Sequence, residues 1–455
     1  MEIKRRSFLK QLGVFTAASA SFLHRCSGPG KPNIVLVMAD DLGWNQLACY
    51  GSLYYETPNI DRLAAQGMRF TDAYAAAPVC SPTRASTMTG KYPARLHLTD
   101  FIAGNPDPRD SKLRQPDWTK YLKLEEHTLG EAMKQAGYRT ALFGKWHLSK
   151  EKLPPESEPH NPDKQGFDQS FVTYKPVPQM AKAWQTPEND AHNVHIITDK
   201  SLEFIEANKE QPFFLVVSHN SIHTPLMEKS KLIQKYKNKA GADLPENNPV
   251  IAAMIETLDN SVGRITEKLE SLHLADNALF VFYSDNGGLE RAADQTPLRA
   301  GKAALYEGGI RVPLIVRWPG KIRPGSECRT PVMSIDFFPT CAEIAAINPH
   351  KTDGKSLLPL LTESGIFERE ALYWHYPHYH KSGVAPSGAV RMGKYKLIEW
   401  FEHSIDGINQ PGAVELFDLE NDISEQNNLA ADKPELVSGM YQELKTWREA
   451  VEAQD

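Results

Sequence analysis

The stretch Pro78-Val79-Cys80-Ser81-Pro82-Thr83-Arg84-Ala85-Ser86-Thr87-Met88-Thr89-Gly90 gathers a thiol, a proline and an arginine within five residues. Proline is favoured in the first turn of a helix, where its missing N–H costs nothing. Cys80 is therefore expected at or just before a helix N-terminus. Free N–H groups and the positive end of the dipole stabilise an anion there. Arg84 adds a guanidinium fork on the same turn, suited to the oxygens of an oxyanion. An isolated cysteine at a helix start is most often a buried thiol, so the rest of the chain has to supply the other parties to a reaction.

Four further pairs qualify. Asp40 and Asp41 follow the apolar run Asn33–Ala39, and Lys145 and His147 follow Tyr138–Phe143. His219 and His223 follow Pro212–Ser218, and Asp285 and Asn286 follow Ala278–Ser284. Continuous β-branched and aromatic runs of this kind read as strands buried on both faces of a parallel sheet. Each pair lies just past the C-terminal end of its strand, the edge where open α/β sheets build their sites. One such pair carries little, since polar residues often end strands; four would make a single polar cluster. Lys145 and His147 are two apart, so an extended chain puts both on one face. Asp40, Asp41, Asp285 and Asn286 offer only oxygen, which suits Ca2+ or Mg2+ rather than Zn2+. An adjacent Asp pair alone is often a cap or a solvated turn; a second oxygen pair on another strand edge makes a metal the better reading.

The elements between these pairs are helical: Thr57–Ala64, Thr128–Gly137, Asp199–Asn208 and Asn248–Leu272, the first with proline near its start and the second stopped by Gly137. Strands alternating with helices predict an α/β fold, a large mostly parallel sheet flanked by helices. A Pro- and charge-rich insertion at about Leu153–Pro187 reads as surface loops. Farther on, Tyr373–Tyr376, Gly388–Ile398 and Glu415–Leu419 read as short antiparallel strands, with a closing helix over Pro434–Val451. The expected division is residues 1–28 as an export signal, 29–355 as the catalytic domain, and 356–455 as a smaller C-terminal α+β subdomain with an antiparallel sheet.

The net charge of −6 leaves no polycationic footprint for nucleic acid, and five cysteines are too few for a disulfide scaffold. Cys49, Cys328 and Cys341 are read as buried free thiols. Residues 1–28 carry Lys4-Arg5-Arg6-Ser7-Phe8-Leu9-Lys10 and then an Ala/Ser-rich apolar run too short to span a bilayer. The order Arg5-Arg6-x-Phe8-Leu9-Lys10 resembles a twin-arginine signal, which predicts an exported, periplasmic protein. Lipid anchoring at Cys26 is disfavoured by the bulky, charged His24-Arg25 before it. No transmembrane span is expected in the mature chain.

Cys80-x-Pro82-x-Arg84 with Met88-Thr89-Gly90-Lys91 resembles the maturation signature of the type I sulfatases, in the alkaline phosphatase superfamily. The whole mature chain is similar to that family. Met-Ala-Asp40-Asp41-Leu-Gly-Trp matches its first metal motif and Asp285-Asn286 its second. Gly-Lys145-Trp-His147, His223-Thr-Pro, Gly-Lys302 and Leu416-Phe417-Asp418-Leu419 match as well. His219 is a weaker match, read as structural or as supporting the site residues from behind. The resemblance implies that a formylglycine-generating or sulfatase-maturating enzyme oxidises Cys80 to formylglycine, whose hydrate is the nucleophile. It implies one divalent cation, calcium before magnesium, held by Asp40, Asp41, residue 80, Asp285 and Asn286. Arg84, Lys145 and Lys302 would then stabilise sulfate oxygens, and His223, with Lys302, would protonate the leaving alcohol. His147 would take a proton from the second hydroxyl, resolving a covalent sulfated enzyme. The expected substrate is a sulfated oligo- or polysaccharide, because the Tyr373–His380 and Gly388–Arg391 stretches resemble those of bacterial polysaccharide sulfatases. His375, His378, His380 and Arg391 are candidate substrate-binding residues, with aromatic packing as the alternative. The competing readings are a phosphonate or phosphodiester hydrolase of the same superfamily and a catalytically silent carbohydrate-binding relative.

Overall fold

The computed structural model describes residues 30–150, 158–174, 192–348 and 350–454. The expected export signal and most of the insertion at 153–187 lie outside these residues. In chain order the strands are β1 (Asn33–Ala39), β2 (Met68–Phe70), β3 (Ala73–Tyr74), β4 (Arg139–Gly144), β5 (Gln169–Val172), β6 (Phe213–Ser218) and β7 (Ala278–Ser284). They continue as β8 (Leu314–Arg317), β9 (Ser326–Cys328), β10 (Val332–Met333), β11 (Leu372–Tyr376), β12 (Ser387–Met392), β13 (Tyr395–Trp400) and β14 (Val414–Asp418).

The main sheet has 8 strands in the order β5-β4-β6-β1-β7-β8-β2-β9. From β5 to β7 every neighbour is parallel, whereas β8 runs antiparallel to both β7 and β2. The mostly parallel sheet expected from the alternating elements is thus present. Its period of two explains how it is covered. In β1, Ile34, Leu36 and Met38 join one apolar core with Leu129, Met133, Phe337 and Phe338. Val35 and Val37 face the other way, into a core with Ile60, Ile197, Phe204, Ile251 and Leu258. Helices therefore sit on both faces, and the central strands are apolar throughout because neither face meets water.

The longest helix among the described residues, Pro249–Ser271, starts where the sequence places it. Asn248 Oδ1 accepts from the N–H groups of Val250 and Ile251 at 2.9 and 3.2 Å, and proline takes the first helical position. Leu129–Gln135 begins with a capping box between Thr128 and Glu131.

The second sheet is antiparallel, β11-β12-β13-β14, and is covered by the helix Pro434–Ala450. The run Gly388–Ile398 departs from expectation: it is two strands, β12 and β13, folded back at Gly393, whose φ of 54° lies in the left-handed region. A second departure is β5, an edge strand of the main sheet in a region read as loops. Lys31–Asp455 forms one compact unit.

Candidate active site

The order β4-β6-β1-β7 places the four polar pairs side by side, since each follows one of four adjacent parallel strands. Backbone bonds stitch these ends together. Asp40 N–H donates to Ser221 O at 2.9 Å, Lys145 N–H to Ser218 O at 2.7 Å, and Asp285 N–H to Ala39 O at 3.1 Å. Asp41 and His147 adopt φ values of 64° and 59°, a region that costs non-glycine residues energy and is held only by surrounding contacts.

Cys80 is the first residue of the helix Cys80–Thr89 and is 1% exposed. Its Sγ lies 3.3 Å from His147 Nδ1. The other ring nitrogen, Nε2, is 2.6 Å from the Ile102 carbonyl oxygen. A carbonyl can only accept, so Nε2 carries the proton and Nδ1 presents its lone pair to residue 80. Arg84 is one helical turn on from Cys80 and held at three points: Nε donates to Asp285 Oδ2 at 2.8 Å, and Nη1 to Lys145 O at 2.9 Å and Ser218 Oγ at 2.7 Å. Ser218 in turn donates to Lys145 O at 2.6 Å. Neither Ser218 nor Ile102 was picked out from the sequence. A serine ending an apolar strand carries no distinguishing mark, and Ile102 acts through its backbone.

The oxygen set fits a hard cation. Lys145 Nζ donates to Asp40 Oδ2 at 2.7 Å, Lys302 Nζ to Asp41 Oδ1 at 2.5 Å, and Asn286 Nδ2 also to Asp41 Oδ1 at 2.9 Å. The opposite oxygens, Asp40 Oδ1, Asp41 Oδ2 and Asn286 Oδ1, are buried without a hydrogen bond among the described residues. Buried polar atoms are rarely left so. Asp40, Asp285 and Cys80 each bring a ligand-type atom within 4.8 Å of the others. Burial raises the Asp285 carboxyl to about 8 against the pull of Arg84, with Asp40 adding to the rise. Crowded buried carboxyls with unused oxygens are what a divalent cation relieves. Burial also opposes the charge of Asp40, yet Lys145, His223 and Arg84 hold its carboxyl below the ordinary range. Burial likewise disfavours the Lys302 ammonium, but Asp41 outweighs it and keeps Lys302 charged. His223 is lowered to about 3 by burial and then by Lys302, so it is neutral at neutral pH. Its Nδ1 donates to Thr224 O at 2.7 Å, which leaves Nε2 on the side of Asp41 Oδ2, 3.8 Å away.

These groups open into a cavity of about 740 Å3, lined in part by Asp41, Cys80, Lys145, His147, His223 and Lys302. Asp40, Arg84, Asp285 and Asn286 are buried behind them. His219 is fully buried and bonded to Ser261, a structural placement. The substrate-binding candidates divide, and three need correction. His380 lines the cavity, but His375, His378 and Arg391 are not among its described lining. His375 Nε2 donates to Gln454 O at 2.7 Å, and His378 is bonded to Thr99 and Gln115. Arg391 reaches Asp72 at 2.8 Å and the Tyr74 hydroxyl, tying β12 to the turn after β2 and to β3, which pairs with β10 in a small separate sheet. His375 on β11 and Arg391 on β12 are taken up by contacts of the second sheet, and His378, in the loop after β11, by Thr99 and Gln115. The walls that sequence reasoning missed include Phe101, Leu289, Arg291 and Val384, all from loops with no periodic signature.

The sulfatase family model matches residues 32–347, and the model of the N-sulphoglucosamine sulphohydrolase C-terminal region matches residues 300–450. A sulfatase from Formosa agariphila is 32% identical, over 92% of this chain and 88% of its own. An N-acetylgalactosamine-6-O-sulfatase from Bacteroides thetaiotaomicron is 29% identical over 91% and 93%. The crystal structure of Ps i-CgsB in complex with k-i-k-neocarrahexaose superposes with a TM-score of 0.74 at 30% identity, over 92% of each chain. With the sulfatase model matched over most of the chain and a relative 32% identical over 92% of it, the chain belongs to the sulfatase family, hydrolases of sulfuric esters.

Proposed function

We propose that this sulfatase releases sulfate from a sulfated carbohydrate, with Cys80 converted to formylglycine and calcium held by Asp40, Asp41, Asp285 and Asn286. The observation that carries the reading is the set of Cys80, His147, Lys145 and Lys302 at the wall of one cavity of about 740 Å3, a volume that suits sugar rings. One relative is named an N-acetylgalactosamine-6-O-sulfatase, and a similar structure was solved with k-i-k-neocarrahexaose. Magnesium meets the same oxygen donors, but the larger calcium ion tolerates the irregular geometry of four side chains from two strand ends better.

When bound, the cation supplies positive charge that acidifies a hydroxyl at residue 80 and draws a sulfate oxygen. Formylglycine supplies the oxygen nucleophile as its hydrate. This chain's own groups do the rest. Lys145 and Lys302 keep their ammonium charge beside the cavity and stabilise sulfate oxygens as negative charge builds on them. Arg84, locked by Asp285 and Ser218, fixes the floor. His147 Nδ1, its tautomer set by the Ile102 carbonyl, accepts a proton from the hydroxyl at residue 80. Lys302 and His223 stand together to return a proton to the leaving oxygen. The His223 Nδ1 proton is committed to Thr224 and the neutral ring has a bare Nε2, so the proton that reaches the leaving oxygen comes from the Lys302 ammonium, with His223 positioned beside it. Export to the periplasm through the twin-arginine-like signal, after action by a formylglycine-generating enzyme, completes the reading.

The test is to express the chain with such an enzyme and measure free sulfate and free phosphate side by side. Aryl esters and desalted sulfated oligosaccharides serve as substrates, with Cys80→Ala as control. Sulfate from oligosaccharides that disappears in Cys80→Ala supports the proposal. An active Cys80→Ala protein, or phosphate as the sole product, overturns it.

A further inference from the structure

The cavity holds more positive charge than one sulfate needs. Lys145 and Lys302, each bonded to an aspartate, serve the scissile group. Arg291, His380 and Lys381 line the same cavity and come from segments remote in sequence, one following β7 and one following β11. Burial, and then the charges of Lys302, Lys381 and Arg291, lower the His380 imidazole, with Asp41 opposing them. Arg291 makes no ion pair among the described residues and is exposed to solvent at the cavity, as is Lys381. Glu290 is the opposing carboxylate on this wall. The excess of cations contrasts with the net charge of −6 for the whole chain.

His380 is fixed rather than mobile. Its backbone N–H donates to Val384 O at 3.0 Å, and Gly383 N–H donates back to His380 O at 2.9 Å, closing a tight turn. The Ser382 N–H donates to His380 Nδ1 at 3.2 Å, so the neutral ring carries its proton on Nε2 and remains a donor. The ring packs edge-on against Phe101 at 5.9 Å. Phe101 adjoins Ile102, whose carbonyl holds His147. The basic wall is therefore tied to the same loop that sets the catalytic histidine.

Resting on the carbohydrate reading above, we infer that Arg291, His380 and Lys381 form a second anion subsite, which selects sugars carrying another sulfate or a carboxylate near the sulfate that is removed. Exposed cations at a cavity rim contribute mainly to selection and capture, and their effect is screened by salt. A monosulfated sugar fills the scissile position and leaves this wall solvated. A dianionic sugar engages both.

The experiment compares kcat/KM for a monosulfated galactan disaccharide, the same disaccharide with a second sulfate, and a monosulfated disaccharide bearing a uronate. Parent, Arg291→Ala, Lys381→Ala and the double variant are assayed at low and high salt. The parent is expected to favour the two dianionic substrates. In the double variant the ratio of dianionic to monosulfated kcat/KM falls roughly tenfold at low salt, and the salt dependence of that ratio flattens. Preference for disulfate over uronate assigns the subsite to sulfate, and equal preference assigns it to anions generally. A ratio unchanged by the double variant overturns the inference while leaving the carbohydrate reading intact. A parent that cleaves aryl sulfates but none of the three sugars overturns both.

Discussion

Lys396→Met tests whether the C-terminal sheet holds the active-site loop by charge. Lys396 lies on β13, with its Nζ 2.8 Å from Glu307 Oε1 and 2.6 Å from Glu425 Oε1, all three side chains 0% exposed. Burial raises the Glu307 carboxyl, yet Lys396, followed by Arg311 and Arg391, brings it down to about 2. Glu425 is raised to about 7 by burial, with Lys396 as its main opposing charge. Glu425 Oε2 accepts from the Glu307 N–H at 2.7 Å, and Glu425 O accepts from Arg299 Nη1 at 2.7 Å. Those two bonds bracket the 299–307 segment that carries Lys302. Methionine nearly matches the lysine stem in shape, so the substitution removes charge more than volume. Breaking one partner of a buried ion cluster costs about 3–5 kcal/mol, because the carboxylates left behind are uncompensated. At roughly 2 °C per kcal/mol for a chain of this size, Tm should fall by about 6–10 °C. Lys396→Met/Glu425→Gln, which also removes the stranded charge, should recover about half the loss in a double-mutant cycle. Thermal and urea unfolding give these quantities, and aryl sulfate kinetics should show kcat/KM falling with the loosened Lys302 segment. A single variant within about 1 kcal/mol of the parent, with no coupling in the cycle, would refute the reasoning.

Asp100 is raised to about 6 by burial, although Phe101 N–H and the Tyr376 hydroxyl bond its Oδ1 at 2.8 and 3.0 Å. The folded chain then keeps this proton to higher pH than the unfolded chain does. Its contribution is fully present below about pH 4 and is lost as pH rises through about 6, by roughly 2–3 kcal/mol. Asp100→Asn should flatten that slope in urea unfolding, and a slope equal to the parent's sinks the idea. Removing divalent cations by dialysis against a chelator should lower Tm and abolish turnover, with calcium restoring both. Ligand linkage at 100-fold over Kd corresponds to about 3 kcal/mol, and a Tm indifferent to chelation excludes a bound cation. His375→Ala and His378→Ala should destabilise the fold and reduce aryl sulfate and oligosaccharide turnover in parallel. A loss confined to oligosaccharides would place those histidines at the substrate after all.

The parts legible in the sequence were those with a period or a fixed chemical signature. Continuous apolar runs ending in Asp40, Lys145, His219 and Asp285 gave four strands and the edge where the site forms. The helices read from Thr128 and from Asn248 start within a residue of the observed ones, where those two residues prove to be the caps. What escaped was set by tertiary packing. β5 pairs at the sheet edge with only four residues, too few to show a pattern. Met392-Gly393-Lys394 looked like the middle of a strand, though the left-handed glycine makes it a turn. Tyr373–Tyr376 alternates as a surface strand would, yet the last helix covers its outer face and turns His375 into a packing residue. The cavity walls at Phe101 and Arg291 are loop residues brought together by the strands, and no sequence spacing connects them.

Residues 79–90 are buried without a break, and Cys80 itself is 1% exposed. A cavity of about 740 Å3 admits a sugar but not another protein. An enzyme that oxidises this thiol must therefore meet the segment as an extended peptide, before the helix winds and the strand ends close over it. With Cys80 as the formylglycine precursor and a cation bound as proposed, the order of assembly would be oxidation of the thiol, then collapse of the chain, then capture of the cation. A chain that folds early buries its cysteine out of reach. The proportion of active enzyme in a preparation is then a record of a race between modification and folding, decided once in the life of each molecule.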